Sequence, residues 1–219
     1  MKNKLNYSFQ AFQKDHFWLP LALMALFLII IMMISDSEKY NAARAFIGFT
    51  LPLISGGLAS YAFLEDQALE MQFTMQRALW KLILERLGII LLITILTAVI
   101  FQICAHFLGI SLSPLGNIFK RQLVWLIPCT TTLVLGGWAS LMGRSSSAGL
   151  SVIGGIWIIQ LLARGWFIRD SIFRNILLFY GVMDPFGTPL LANQLVLISI
   201  TILLLLLSYF LLQKHERYI

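Results

Sequence analysis

The chain has 219 residues, of which 59% are hydrophobic and only 12% charged, with a mean hydropathy of +0.84. Soluble domains carry about a quarter of their residues as charges, so the composition excludes a soluble fold and points to an all-α integral membrane protein, a single transmembrane domain over residues 1–219. The net charge of +6 and pI of 9.6 would suggest nucleic acid in a soluble chain, but here the bases sit at the ends of apolar runs, where they meet lipid headgroups, and no nucleic-acid partner is expected.

At about 20 apolar residues per crossing the chain accommodates six spans. Residues 1–16 place Leu5, Phe9, Phe12 and His16 at helical spacing among Lys2, Lys4, Lys14 and Asp15, the pattern of an N-terminal interfacial helix. Span one, Phe17 to Ile34, has Trp18 as an interfacial anchor and Pro20 in its first turn, where a missing N–H costs least. No small-residue cleavage site follows, so it reads as a retained span and not as a signal peptide. Ser35 to Arg44 reads as a polar loop. Span two, Ala45 to Leu64, carries Pro52 and Ser55-Gly56-Gly57, which predict a bend near Pro52 and close helix approach.

The segment 65–86 is the most polar internal stretch. At about 100° per residue, Leu69, Phe73, Gln76, Trp80 and Leu84 share one arc, and Glu70, Thr74, Arg77, Lys81 and Glu85 the arc beside it. Acids lead (Glu65, Asp66, Glu70) and bases close (Arg77, Lys81, Arg86), in keeping with the helix dipole. An amphipathic helix at the membrane–water boundary is expected.

Span three, Leu87 to Leu108, holds Thr94, Thr97, Gln102 and His106, the last read as a boundary residue. A turn covers Gly109 to Phe119. In span four, Leu123 to Met142, Pro128 is followed by Cys129 and three threonines, whose hydroxyls are expected to bond the carbonyls that Pro128 frees. Span five runs from Ala148 to Phe167. Small residues at Ala139, Gly143, Ser147, Ser151 and Gly155 form a packing ridge split by a turn near Arg144. Residues 168–194 are too broken to span and too apolar for a free loop. They read as one or two half-helices dipping into the membrane and leaving on the same side. Span six, Leu195 to Leu212, is almost purely aliphatic, hence lipid-facing, and a basic tail follows from Gln213.

With six spans both termini share a face. That face would carry Lys2, Lys4, Lys14, Arg77, Lys81, Arg86, Arg144, Lys214 and Arg217, against Lys39, Arg44, Lys120, Arg121, Arg164, Arg169 and Arg174 on the other, which favours cytoplasmic termini. The chain has no Gly-rich phosphate loop, no His-Glu-x-x-His helix, no acid pair for a metal and no mid-span charge. Cys104 and Cys129 lie in apolar spans without metal or disulfide spacing. Neither catalysis nor a metal site is expected. A third reading, an intramembrane enzyme, would need Gln102, His106 and Thr130 to Thr132 to converge.

The interfacial helix, six spans, charged helix after span two and broken half-helices before span six together resemble the ABC-2 type permease subunits of ATP-binding cassette exporters. Locally, Glu65, Leu69, Thr74, Arg77, Lys81 and Arg86 match the family's segment, with Gln67 or Ala68 where glycine is usual and no proline in the turn before span three. The resemblance implies a membrane subunit without an ATPase site, ATP and Mg being held by a separate ATPase subunit. The helix of 65–86 would be a cytoplasmic coupling helix, with Phe73 and Trp80 as apolar anchors and Glu65, Asp66, Glu70 and Arg77 as polar rim. It further implies a second permease chain, identical or homologous, a path lined by Ser55, Gly56, Ser151 and Gly155, and the inner membrane of a prokaryote. The rival expectation is a membrane scaffold or sensor that recruits a cytoplasmic partner through the same helix. The scarcity of charge in the spans favours an amphipathic or lipid-like cargo.

Overall fold

A computed structural model describes residues 15–62 and 79–213. Within them the chain forms eight helices: α1 (Asp15–Met33), α2 (Asp36–Tyr61), α3 (Leu79–Phe107), α4 (Ile118–Gly143), α5 (Ser146–Leu162), α6 (Arg164–Arg169), α7 (Tyr180–Met183) and α8 (Leu190–Gln213). There is no strand among the described residues. Four helices, α2, α3, α4 and α8, are long and apolar enough to cross a membrane, while Trp18–Met33 of α1 and the whole of α5 are apolar but shorter.

Helix α4 is the centre of the bundle, with α2, α5 and α8 packed on it. In the most apolar stretch of α4, 72% of the residues are buried, against 22% in α8, which lies on the outside. The first half of α2 corrects the polar loop expected over Ser35 to Arg44. Asp36 and Glu38 occupy its first turn, Lys39 pairs with Asp36 at 2.7 Å, and Asn41 Nδ2 donates to Glu38 at 3.0 Å. Favourable end charges, one-turn pairs and the good helix formers Ala42 and Ala43 outweigh the segment's polarity.

Three other boundaries move for related reasons. Helix α3, described from Leu79, runs unbroken through Arg86, so the end of the amphipathic segment belongs to the long helix; without a proline nothing stops it there. Its 29 residues extend about 43 Å, beyond the roughly 30 Å hydrocarbon core, so two turns project into the boundary. The last helix starts at Leu190, directly after Pro189, whose fixed φ suits a helix start. Span five is interrupted at Ala163 (φ −92°, ψ 12°), and the short α6 follows.

Two bends behave differently. Before Pro52 the chain forms a π-turn over Phe46–Thr50, in which Leu51 N–H donates to Phe46 O, five residues back. Pro52 has no N–H for the Gly48 carbonyl and its ring crowds that oxygen, and a widened turn relieves both. The break near Arg144 is sharp: Arg144 adopts a left-handed conformation (φ 52°) and its N–H returns to Ser140 O, while Ser145 Oγ caps α5 by accepting from Ala148 N–H at 3.2 Å.

Candidate functional site

The expected path residues divide between two places. Ser55 and Gly56 lie in the seam where α2, α4 and α5 meet. Ser55 Oγ–H donates across it to Cys129 O at 3.0 Å, and a methyl at Gly56 would come within 2.9 Å of Ile153 Cδ1 and 3.0 Å of Thr132 O. Beside them, a methyl at Gly136 would collide with Gly56 O, and one at Gly149 would sit 2.6 Å from Ser60 Oγ. Ser140 Oγ lies 3.0 Å from Ser60 O and 2.7 Å from Gly136 O. Small side chains let three backbones approach closely, and hydroxyls satisfy the carbonyls so exposed. Ser151 is exposed on the outer face of α5, and nothing lies within 4 Å of a Cβ built on Gly155. The four residues therefore do not share one opening within this chain.

The small-residue ridge has a similar fate. Ala139 is buried, but Gly143, Ser147 and Ser151 are exposed, and the residues that close the seam are Gly56, Ser60, Gly136, Ser140 and Gly149.

The threonines after Pro128 bond back into their own helix, as expected, but to a different turn. Thr130 and Thr131 Oγ1 donate to Ile127 O at 2.8 and 2.9 Å, and Thr132 Oγ1 lies 3.0 Å from Pro128 O. The carbonyl that Pro128 frees is that of Val124, one turn earlier. Thr131 Oγ1 also meets Thr201 Oγ1 of α8 at 3.0 Å. These groups are engaged in helix packing, away from the cavity that Gln102 and His106 line.

The connection from α5 to α8 carries the most elaborate geometry. It holds α6, a 3₁₀ turn (Phe173–Ile176) and α7, and both flanking helices meet it at the same end of the bundle. Asp170 Oδ1 opens the 3₁₀ turn by accepting from Ile172 N–H at 2.8 Å and Phe173 N–H at 3.1 Å, an Asx turn. The carbonyls at its far end point toward α8, where Asn193, 2% exposed, offers Nδ2 to Leu177 O, Asn175 O and Arg174 O at 2.9, 3.0 and 3.2 Å. From α5, buried Gln160 accepts from Leu178 N–H at 2.9 Å and donates to Ile176 O at 3.4 Å. Irregular backbone inside an apolar bundle must have its polar groups satisfied, and two carboxamides, each donor and acceptor, do so.

Held in this way, Leu177 to Val182 pack inward onto the bend of α2. Val182 fills the space that a side chain at Gly48 would occupy, and Phe179 stacks on Phe49 at 4.7 Å between centroids. Trp157 Nε1–H donates to Phe49 O at 2.9 Å, at the edge of the π-turn. At the mouth of the connection, Tyr180 OH donates to Asp184 Oδ2 at 3.1 Å; burial first, then the carboxylate, raise the phenol above its ordinary range. Gln160, Asn193, Trp157 and Gly48 form a site that sequence reasoning passed over. The available signal was Gln160 on one side of a broken apolar stretch and the Asn193-Gln194 pair on the other.

At the opposite end, Trp80 packs edge-on against Tyr209 of α8 at 5.4 Å, so part of the ring expected to anchor a partner is engaged within the chain. Arg86 is buried and donates through Nη1 to Ala62 O, tying α3 to the end of α2. Glu65, Asp66, Leu69, Glu70, Phe73 and Arg77 lie outside the described residues, as do the interfacial helix up to Lys14 and the tail from Lys214. Among the described residues no group of three or more His, Cys, Asp and Glu is placed to hold a metal ion. No protein-family model, curated protein or solved structure matches the chain.

Proposed function

We propose that this chain is the membrane-spanning permease subunit of an ATP-binding cassette exporter, driven by ATP hydrolysis on a separate subunit that holds the ATP and Mg. The observation that carries the reading is the connection between α5 and α8: short helices that enter and leave at one end of the bundle, with Gln160 and Asn193 satisfying their backbone. Broken half-helices before the last span are the feature of the ABC-2 permease layout that the sequence resembles. The shorter α1 and α5 would complete six crossings, with the termini and the segment 65–86 in the cytoplasm of a prokaryotic cell.

In this reading two permease chains pair and the cargo passes between them. The seam around Ser55 and Gly56 sets how closely α2, α4 and α5 approach, and the exposed side of α5 with Ser151 and Gly155 borders the path. Closing of the ATPase subunits pulls the segment 65–86 and rocks the helices as rigid bodies. The test is isolation from native membranes followed by ATPase assay of the complex. Co-purification with an ATPase, and a fall of turnover when Glu70→Ala and Phe73→Ala are combined, is the expected result. Unchanged turnover in that variant would overturn the coupling role and leave a membrane scaffold as the better description. Trp80 is kept intact because its ring supports Tyr209.

A further inference from the structure

Where α3 ends and α4 begins, a cavity of about 210 Å³ opens among Gln102, His106, Ser111, Ser113 and Arg121. It has room for roughly seven waters, enough for a tetrahedral anion with part of its hydration. Its lining side chains offer several donors, and the orientation of one of them follows from how its neighbours are fixed. Trp125 Nε1–H, which can only donate, binds Gln122 Oε1 at 2.8 Å. That orients the Gln122 amide, whose Nε2 then donates to Gln102 Oε1 at 3.0 Å, while Gln102 Nε2 returns one N–H to Gln122 Oε1 at 3.2 Å. The Gln102 amide keeps one N–H and one carbonyl lone pair beyond this pair, and the residue lines the cavity.

Arg121 adds the charge. It lines the cavity, and no Asp or Glu does. A guanidinium lining a cavity that holds no carboxylate to neutralise it suits an anion there. The start of α4 strengthens the field. Lys120 and Arg121 both sit in its first two turns, where the helix dipole already presents positive charge, and that turn contains no acid to offset them.

We propose that this cavity binds the phosphate of an anionic lipid headgroup. A lipid is favoured over a free phosphate by where the cavity lies: it sits at the ends of two membrane-length helices, where Phe107, next in the chain to His106, and Ile118 and Phe119 in the first turn of α4 are each more than 70% exposed. Such side chains belong in the boundary region where headgroup phosphates lie. Buried Ile110 and Leu112 form the apolar side of the cavity. Arg121 supplies the charged, planar contact, Gln102 a neutral N–H, and the Ser111–Ser113 pair, whose hydroxyls meet at 2.7 Å, the one O–H that their mutual bond leaves over. The site does not depend on the ATP-driven reading.

The test uses the full chain in phosphatidylcholine nanodiscs doped with phosphatidylglycerol, with retained lipid counted by native mass spectrometry. The wild type should retain phosphatidylglycerol in preference to phosphatidylcholine. Arg121→Gln should weaken retention about tenfold or more, and Arg121→Lys less, since it keeps the charge but loses the planar fork. Ser111→Ala with Ser113→Ala, both exposed, removes the hydroxyl pair and should also lower retention, with an unchanged unfolding temperature showing that the turn survives the loss of its Ser111–Ser113 bonds. Equal retention in wild type and the serine double variant, or no preference for phosphatidylglycerol in the wild type, would overturn the proposal. A further arm titrates inorganic phosphate into phosphatidylcholine-only nanodiscs and follows its ³¹P linewidth. Arg121-dependent broadening there, without phosphatidylglycerol preference, would assign the site to a soluble anion and overturn the lipid source.

Discussion

Asn193 carries more of the fold than its place in an aliphatic helix suggests. Its amide faces three carbonyls left over by the 3₁₀ turn, in surroundings where water cannot replace it. Asn193→Leu keeps the volume and removes the donor, so it should cost on the order of 1–3 kcal/mol and release the connection locally. The expected result is a lower unfolding temperature in detergent together with faster amide hydrogen exchange at Leu177 to Val182. Exchange unchanged there would mean that packing alone holds the segment. This residue was hidden in the sequence because one Asn among leucines looks like a tolerated polar side chain, and its partners are backbone carbonyls 16 to 19 residues away, which have no residue-specific signature. Ser55 and Gly56 were legible as a close-approach pair from their type. What they approach, Cys129 O and Ile153, depends on which helices become neighbours, and small residues do not specify that.

At the level of elements, the bend of α2 and the connection fit each other as two halves of one contact. Pro52 announced a distortion, but not that it would take the form of a π-turn presenting Gly48 to α7. A methyl on Gly48 would overlap the whole branch point of Val182, which cannot rotate out of the way. Gly48→Ala should therefore destabilise the protein by about 1–3 kcal/mol, with Val182→Ala in the same chain restoring most of the loss, as thermal unfolding of the two single variants and the double variant would measure. Additive losses would place the strain elsewhere. The same reasoning explains the boundaries that moved. From Leu79 through Arg86 the helix continued because no proline or glycine interrupts it. The polar stretch after Ser35 became helix because its charges were arranged for one, not because it was apolar. Periodicity found the long elements; their ends were decided by local pairs such as Lys39 with Asp36.

For the whole molecule, membrane character and all-helical class were evident from composition, and the placement of α4 at the centre was foreshadowed by its proline, threonines and glycines, which only a packed helix retains. The two ends of the bundle now have distinct characters. One end holds the fixed connection and the donor-lined cavity. The other holds the Trp80–Tyr209 contact and the Arg86 tie, from which the segment 65–78 departs and to which it returns. In the proposed reading the segment 65–86 is the handle, and Arg86 and Trp80, bonded to α2 and packed on α8, would pass its movement to them. A photo-crosslinking amino acid at position 73, activated in intact membranes, tests this most directly. The account predicts a covalent adduct with an ATPase subunit, lost when Glu70 is replaced by lysine. Adducts with phospholipid alone would contradict it.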